Sequence, residues 1–127
     1  FDKGELDSLV LAKNIEADAV VVDERTTRLL LENPYRLQKY LEKKFRRKVS
    51  INQDSLKEFE RHFSTIRVIR SVELVLVAVD LGLLDKHLTH FSRHDLVHAI
   101  LWSMKLKGCA ISEMEIKKLV KLYSKDN

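Results

Sequence analysis

Cysteine, proline and glycine are scarce in this sequence. Its 127 residues contain one cysteine, one proline and three glycines, whereas 45% are hydrophobic and 33% are charged. The single cysteine, Cys109, excludes an intrachain disulfide and favours a reducing compartment. The balance of hydrophobic and charged residues is typical of a compact globular protein rather than a disordered one. We therefore expect one folded domain in the cytoplasm.

Long hydrophobic runs are also missing. No stretch approaches the about eighteen apolar residues that a membrane-spanning helix needs, and no signal peptide is visible. We therefore expect no membrane partner. The sequence starts at Phe1 and not at a methionine, from which we expect either processing or, in preference, a missing N-terminal piece.

The most informative segment is residues 4–31. The spacing of its apolar residues predicts a largely buried helix over 5–15, a short strand over 19–22 and a second helix over 24–32. In a unit of this length the first helix runs antiparallel to the strand. Its N-terminus is therefore expected near the carboxyl end of the strand.

Two acids are expected to meet at that edge of the sheet. Asp7 lies in the first turn of the first helix, and Asp23 ends the strand. Open α/β sheets usually hold their ligands beyond the carboxyl ends of the strands. A purely structural interpretation is also open, in which Asp23 caps the second helix and Asp7 pairs with a basic neighbour.

The same segment resembles the second half of a PIN domain, a metal-dependent ribonuclease fold common in prokaryotic toxins and RNA-processing enzymes. The family form is a Gly-Glu-x-acid helix start, a helix of small residues, a hydrophobic strand and an Asp-Asp/Glu-Arg turn. The matching residues are Gly4-Glu5-Leu6-Asp7-Ser8, Leu11-Ala12, Ala17 to Arg25, and Arg28.

The resemblance implies an α/β fold, a PIN-like three-layer α/β/α arrangement with a parallel sheet. The resemblance also implies N-terminal strands, with an Asp and a nearby Glu that bind metal, which we expect to be absent from this chain. Two short parallel strands do not form a stable sheet by themselves, which also indicates missing strands. Residues 1–127 are thus expected to be a single PIN-like domain, partial at its N-terminus, and inactive by itself if the missing acids are needed.

The implied reaction is cleavage of RNA that depends on Mg²⁺ or Mn²⁺, which prefer carboxylate ligands. Asp7 and Asp23 are the expected catalytic metal ligands, and Glu5 and Glu24 rank below them as helpers. The arginines that follow the strand are expected to bind phosphate; they are Arg25 and Arg28.

Residues 33–64 occupy a place that is usually short in the family. Asn33-Pro34 predicts the start of a basic helix to about Phe45, and a further helix is predicted over about 54–63. Together they form a basic helical insert. Between Arg36 and Lys48 there are seven basic residues and one acid, a pattern typical of phosphate binding or of a solvated helix face. The residues expected to bind nucleic acid are Lys43, Lys44, Arg46 and Arg47.

The rest of the chain predicts one strand and three helices. A β-branched run predicts a strand over 67–69, and an apolar run from Ser71 predicts a helix buried on nearly all sides. Residues 71–84 resemble a PIN subgroup in which this helix ends in Gly-Leu-Ile. Capping residues Ser92 and Ser112 predict two helices in the C-terminal part, 85–127.

Three functions are compatible with these patterns. The first is a PIN-type endoribonuclease, a toxin or a processing enzyme, with RNA as substrate and an antitoxin-type protein as a candidate partner. The second is a non-catalytic module that binds nucleic acid through the basic insert. The third is an interaction domain whose apolar residues bind a partner or a second copy of the chain, and a homo-oligomer is expected.

Overall fold

The computed structural model describes residues 2–124. Contacts divide the chain into a first unit that ends at Ile69 and a second unit that begins at Arg70. Each unit is described separately below. The expectation of one PIN-like domain over 1–127 stays a prediction.

The first unit contains four α-helices and two β-strands within its described residues. In chain order these elements are α1 (Lys3–Asn14), β1 (Ala19–Val21), α2 (Arg25–Glu32), α3 (Pro34–Phe45), α4 (Gln53–Phe63) and β2 (Arg67–Ile69). Their bounds agree with the sequence prediction to within two residues at each end. The insert predicted at 33–64 is thus two helices, α3 and α4, joined by a loop.

Capping residues explain where these helices begin. The Asp2 carboxylate accepts a hydrogen bond from the backbone N–H of Gly4 at 3.4 Å, and Glu5 reaches back to the N–H of Asp2. The side chain of Asn33 caps α3, whose first residue is Pro34. Both arrangements satisfy N–H groups that a helix start leaves without partners.

The two strands pair in parallel, as the sequence predicts. The register places Ala19 opposite Arg67 and Val21 opposite Ile69. The described part of the chain is therefore mostly helical with a small parallel sheet, a coarse α/β arrangement. α1 packs on β1, and α2 contacts both β2 and α3.

The second unit is helical throughout its described residues. It contains α5 (Ser71–Asp80), a single 3₁₀ turn (Asp85–His87), α6 (Arg93–Leu106) and α7 (Glu113–Tyr123). Its core draws on all three helices and on the loop before α7. The buried members are Val72, Leu76, Val79, Val97, Leu101, Cys109, Ile111, Ile116 and Val120.

Two expectations about burial are wrong. The helix α5 is not buried on nearly all sides, because Leu74 and Val77 are 48% and 55% exposed. In α1, predicted to be largely buried, Leu9 and Ala12 are buried but Leu11 is 58% exposed. An apolar residue in a helix is buried only where another element covers it, and periodicity alone does not show which side is covered.

Among residues 2–124, none of the helices combines the length and the apolar character that crossing a bilayer requires.

Candidate functional site

A small acidic pocket lies where the first turns of α1 and α2 meet. It has a volume of about 270 Å³ and is lined by Asp2, Glu5, Glu24 and Thr26. We call these four residues the acidic pocket. Two of its carboxylates belong to the start of α1, and Glu24 is the N-cap of α2. The predicted approach of the N-terminus of α1 to the carboxyl end of β1 is thus present.

Thr27 joins the two helix starts. Its hydroxyl donates a hydrogen bond to Oε2 of Glu5 at 2.7 Å, and its backbone N–H donates to Oε2 of Glu24, also at 2.7 Å. Thr27 is 1% exposed, so both donors are shielded from competing water. One buried residue therefore holds two carboxylates side by side. Thr27 was not among the predicted site residues, because an N-cap side chain bonds the backbone N–H of the third helical residue whatever its side chain is, and the contact of the Thr27 hydroxyl with Glu5 spans 22 positions.

The environment of Glu24 favours its ionised form. Burial alone raises the pKa of the Glu24 carboxyl, but hydrogen bonds from Thr26 and Thr27 outweigh this effect and leave the pKa below its usual value. Glu24 is therefore a carboxylate at neutral pH, held at the positive end of α2.

Asp7 lies on a different side of α1 from Glu5. Residues two apart in a helix are separated by about 200° around its axis. Glu5 shares its side with the buried residues Leu9 and Ala12, four and seven positions later, whereas Asp7 is exposed. The structure does not bring Asp7 to the contact between Glu5 and Thr27. Its role as a metal ligand stays a prediction.

Asp23 lies at the end of the sheet. The pairing continues one residue past β1, where the N–H of Val22 donates to the carbonyl of Ile69 at 2.8 Å. Asp23 follows directly, is half-buried and precedes Glu24. Of the predicted ligands, Glu5, Asp23 and Glu24 therefore lie at or beside the carboxyl end of β1.

The donors at this edge suit a hard cation but are few. Among residues 2–124, no three acidic, histidine or cysteine side chains converge so that they could hold a metal ion together. Mg²⁺ commonly keeps several waters and is bound through one or two protein carboxylates. The chemistry of the donors therefore fits a site with two protein ligands, such as Glu5 with Glu24 or Asp23.

The two arginines predicted to bind phosphate have different surroundings. The guanidinium of Arg25 lies over the ring of Tyr40, 5.4 Å from its centroid, and the residue is exposed. Arg28 is half-buried, and its Nη1 lies 3.7 Å from Oε2 of Glu32. Arg25 is therefore available to an external anion, whereas Arg28 already has an acidic neighbour.

Four basic residues at the end of α3 and directly after it are exposed. No ion pair joins any of them to an acid within the part of the chain that the structure describes; they are Lys43, Lys44, Arg46 and Arg47. The acid of this stretch, Glu42, instead accepts a hydrogen bond from the N–H of Val49 at 3.2 Å. These four cations therefore face solvent without an ion pair to an acid among residues 2–124.

Comparison of the sequence with protein-family models and with curated proteins, and of the structure with solved structures, finds no match.

Proposed function

We propose that this chain belongs to a metal-dependent endoribonuclease of PIN type, in which the carboxyl end of β1 carries part of the catalytic site. The observation that carries the proposal is the pair of hydrogen bonds from Thr27 to Glu5 and Glu24. These bonds hold two carboxylates together at the sheet edge where α/β proteins usually bind ligands. The resemblance of residues 4–28 to the PIN pattern supplies the reaction, and the lone cysteine suits a cytoplasmic setting.

We rank the acids as metal ligands differently from the sequence prediction, which places Asp7 and Asp23 above Glu5 and Glu24. The proposed ligands of Mg²⁺ or Mn²⁺ are Glu5 together with either Glu24 or Asp23, because these acids lie at or beside one edge and a site with two protein ligands suits such an ion. Asp7 ranks below them, because it lies on the other side of α1. When bound, such an ion activates water and stabilises charge on a scissile phosphate.

The protein groups have separate tasks in this proposal. Thr27 fixes the orientation of the two glutamates, so that little reorganisation is needed when a cation binds. Arg25 is exposed beside Glu24 and is the proposed contact to a substrate phosphate. Arg28 stabilises α2 through Glu32 and has a lesser part in binding.

Cation binding tests the proposal independently of catalysis. Paramagnetic Mn²⁺ broadens the NMR signals of amides near its site, and we expect broadening at residues 5 and 23–27. Glu5→Gln and Asp23→Asn should each weaken the broadening, whereas Glu60→Gln, which changes an exposed acid of α4, should not. Absence of broadening at residues 5 and 23–27 would contradict the proposal.

Cleavage of RNA is the second test. A fluorogenic single-stranded RNA should be cut in the presence of Mn²⁺ and left intact in EDTA. Glu5→Gln or Asp23→Asn should reduce the rate by at least about a hundredfold, with Glu60→Gln unchanged. Asp7→Asn tests the rank of Asp7 as a ligand. The sequence pattern predicts that it lowers the cleavage rate as much as Asp23→Asn does, whereas the position of Asp7 in the structure predicts a smaller decrease.

A further inference from the structure

The carboxyl-terminal turn of α3 carries cations that are held over aromatic rings. Nζ of Lys44 lies 5.9 Å from the centroid of the Tyr40 ring and 5.5 Å from that of the Phe45 ring, and Arg25 lies over Tyr40 at 5.4 Å. We call Arg25, Tyr40, Lys44, Phe45 and Arg46 the α3 surface. Contacts of this kind orient a cation while leaving its charge open to an anion.

Within residues 2–124, the cations of the α3 surface, Arg25, Lys44 and Arg46, have no ion pair to an acid. Glu42 is hydrogen-bonded to the backbone of Val49 in the loop that leaves α3. Exposed cations that lack an acidic partner can bind the phosphates of a nucleic acid, and this binding releases counterions.

An exposed aromatic ring lies within this charge. Phe45 is 58% exposed at the last position of α3, and the next residue, Arg46, ends the helix in a left-handed conformation with φ 52°. Exposure of an apolar phenyl ring to water is unfavourable. An unpaired nucleotide base can stack on such a ring, whereas the bases of a duplex are stacked on one another and are not accessible.

The α3 surface is continuous with the acidic pocket along the chain. Arg25, which contacts Tyr40 of α3, directly follows Glu24, which lines the pocket. Adjacent residues have their Cα atoms about 3.8 Å apart. Arg25 therefore adjoins both the α3 surface and the acidic pocket.

We propose that the α3 surface binds single-stranded RNA next to the acidic pocket, with a base stacked on Phe45 and phosphates contacted by Arg25, Lys44 and Arg46. This inference rests on the proposed function for its link to cleavage. The binding itself is independent of metal.

The test is binding of a labelled unstructured RNA of about ten nucleotides, followed by fluorescence anisotropy in EDTA. Phe45→Ala should weaken binding by about fivefold or more, the effect of losing one stacked base. Tyr35→Ala is the matched control, because Tyr35 is 56% exposed at the other end of the same helix. It should bind RNA as the unmodified chain does.

The charged residues are tested through salt dependence. Lys44→Gln and Arg46→Gln should each reduce the slope of log affinity against log salt concentration by about 0.7, the value for one phosphate contact on a single strand. Lys57→Gln, which removes an exposed charge from α4, should leave that slope unchanged. A duplex RNA of equal length should bind more weakly and should not respond to Phe45→Ala.

Each outcome decides the inference. Equal effects of Phe45→Ala and Tyr35→Ala, or equal binding of duplex and single strand, would overturn it. A single-stranded DNA of the same sequence that binds as well as RNA would overturn the assignment to RNA. Metal-dependent cleavage that does not involve α3 would refute this inference and leave the proposed function in place. Metal-free RNA binding through Phe45 without cleavage would support this inference and refute the proposed function.

Discussion

Oε2 of Glu5 accepts a hydrogen bond from the hydroxyl of Thr27 at 2.7 Å, across 22 positions of the sequence. This contact ties the first turn of α1 to the first turn of α2. Because the backbone N–H of the same threonine donates to Glu24, a single buried residue organises two acids of the first unit. The geometry of the candidate site therefore depends on a residue that carries no charge.

Thr27→Val should destabilise the first unit by about 1 kcal/mol. Valine has nearly the same shape as threonine, so no cavity forms. The carboxylate of Glu5, however, loses the hydrogen bond that the Thr27 hydroxyl donates to it. Glu5 is only half-buried, and water recovers part of the loss. The measurement is hydrogen exchange of the α2 amides. A double-mutant cycle with Glu5→Ala, which removes the acceptor, should give a coupling energy of about 1 kcal/mol, and a coupling near zero would show that the contact contributes nothing.

Glu24 should make the stability of the first unit depend on pH. The pKa of Glu24 in the folded chain lies below its usual value of 4.5, because hydrogen bonds from Thr26 and Thr27 favour the carboxylate. Its contribution is therefore fully present above pH 4.5 and is lost as the pH falls through the lowered folded pKa.

The check is a comparison of the unmodified chain with Glu24→Gln across this range of pH. Glutamine keeps the shape of the side chain but does not ionise. The stability difference between the two proteins should shrink on acidification, measured by hydrogen exchange in α2. A difference that grows towards low pH would contradict the assignment.

The elements were predictable because local signals mark their ends. Asn33 followed by Pro34, and the serines at 92 and 112, predict helix starts, and each is the N-cap in the structure. The β-branched run at 67–69 is a strand as expected. Capping and β-branching act within a few residues, so a single sequence carries this information.

The partners of the side chains were not predictable in the same way. Both Glu5 and Asp7 are acids near the start of α1, and choosing between them requires knowing which side of α1 is covered. Leu9 is buried whereas Leu11, equally apolar, is exposed, and only contacts distant in the chain produce that difference. The contact from Glu5 to Thr27 is likewise too distant in sequence for a periodicity argument to find.

Arg70→Met should destabilise the second unit by about 2 kcal/mol. Arg70 is 9% exposed, and its guanidinium donates to Glu115 at 2.7 Å, to Glu73 at 3.2 Å and to the carbonyl of Ala110 at 3.3 Å. Burial lowers the pKa of Arg70, but the hydrogen bonds and charges of Glu115 and Glu73 outweigh it and leave that pKa raised. The expected loss is smaller than for a fully buried pair, because water reaches both glutamates.

Unfolding in urea, followed by the fluorescence of Trp102, reports on this unit because Trp102 packs against its core. Arg61→Met is the control for a surface charge. Its ion pair with Glu58 is 3.9 Å long, and both side chains are more than 60% exposed, so its removal should change stability by less than about 0.5 kcal/mol. A loss for Arg70→Met that is no larger than the control would show that these bonds are replaced by water without cost.

Two glycines should respond to alanine in opposite directions. Gly82 has φ +68°, and a Cβ there would lie 2.8 Å from Oδ2 of Asp85. Gly82→Ala should therefore destabilise the second unit by about 1–2 kcal/mol, mainly through the left-handed backbone. Gly4 lies in α1 with nothing within 4 Å of its Cβ position, so Gly4→Ala should stabilise α1 by about 0.5 kcal/mol. Unfolding in urea, followed by Trp102 fluorescence, measures the effect of Gly82→Ala, and hydrogen exchange in α1 measures that of Gly4→Ala. If Gly82→Ala stabilised the second unit, the turn at Gly82 would not need its left-handed conformation.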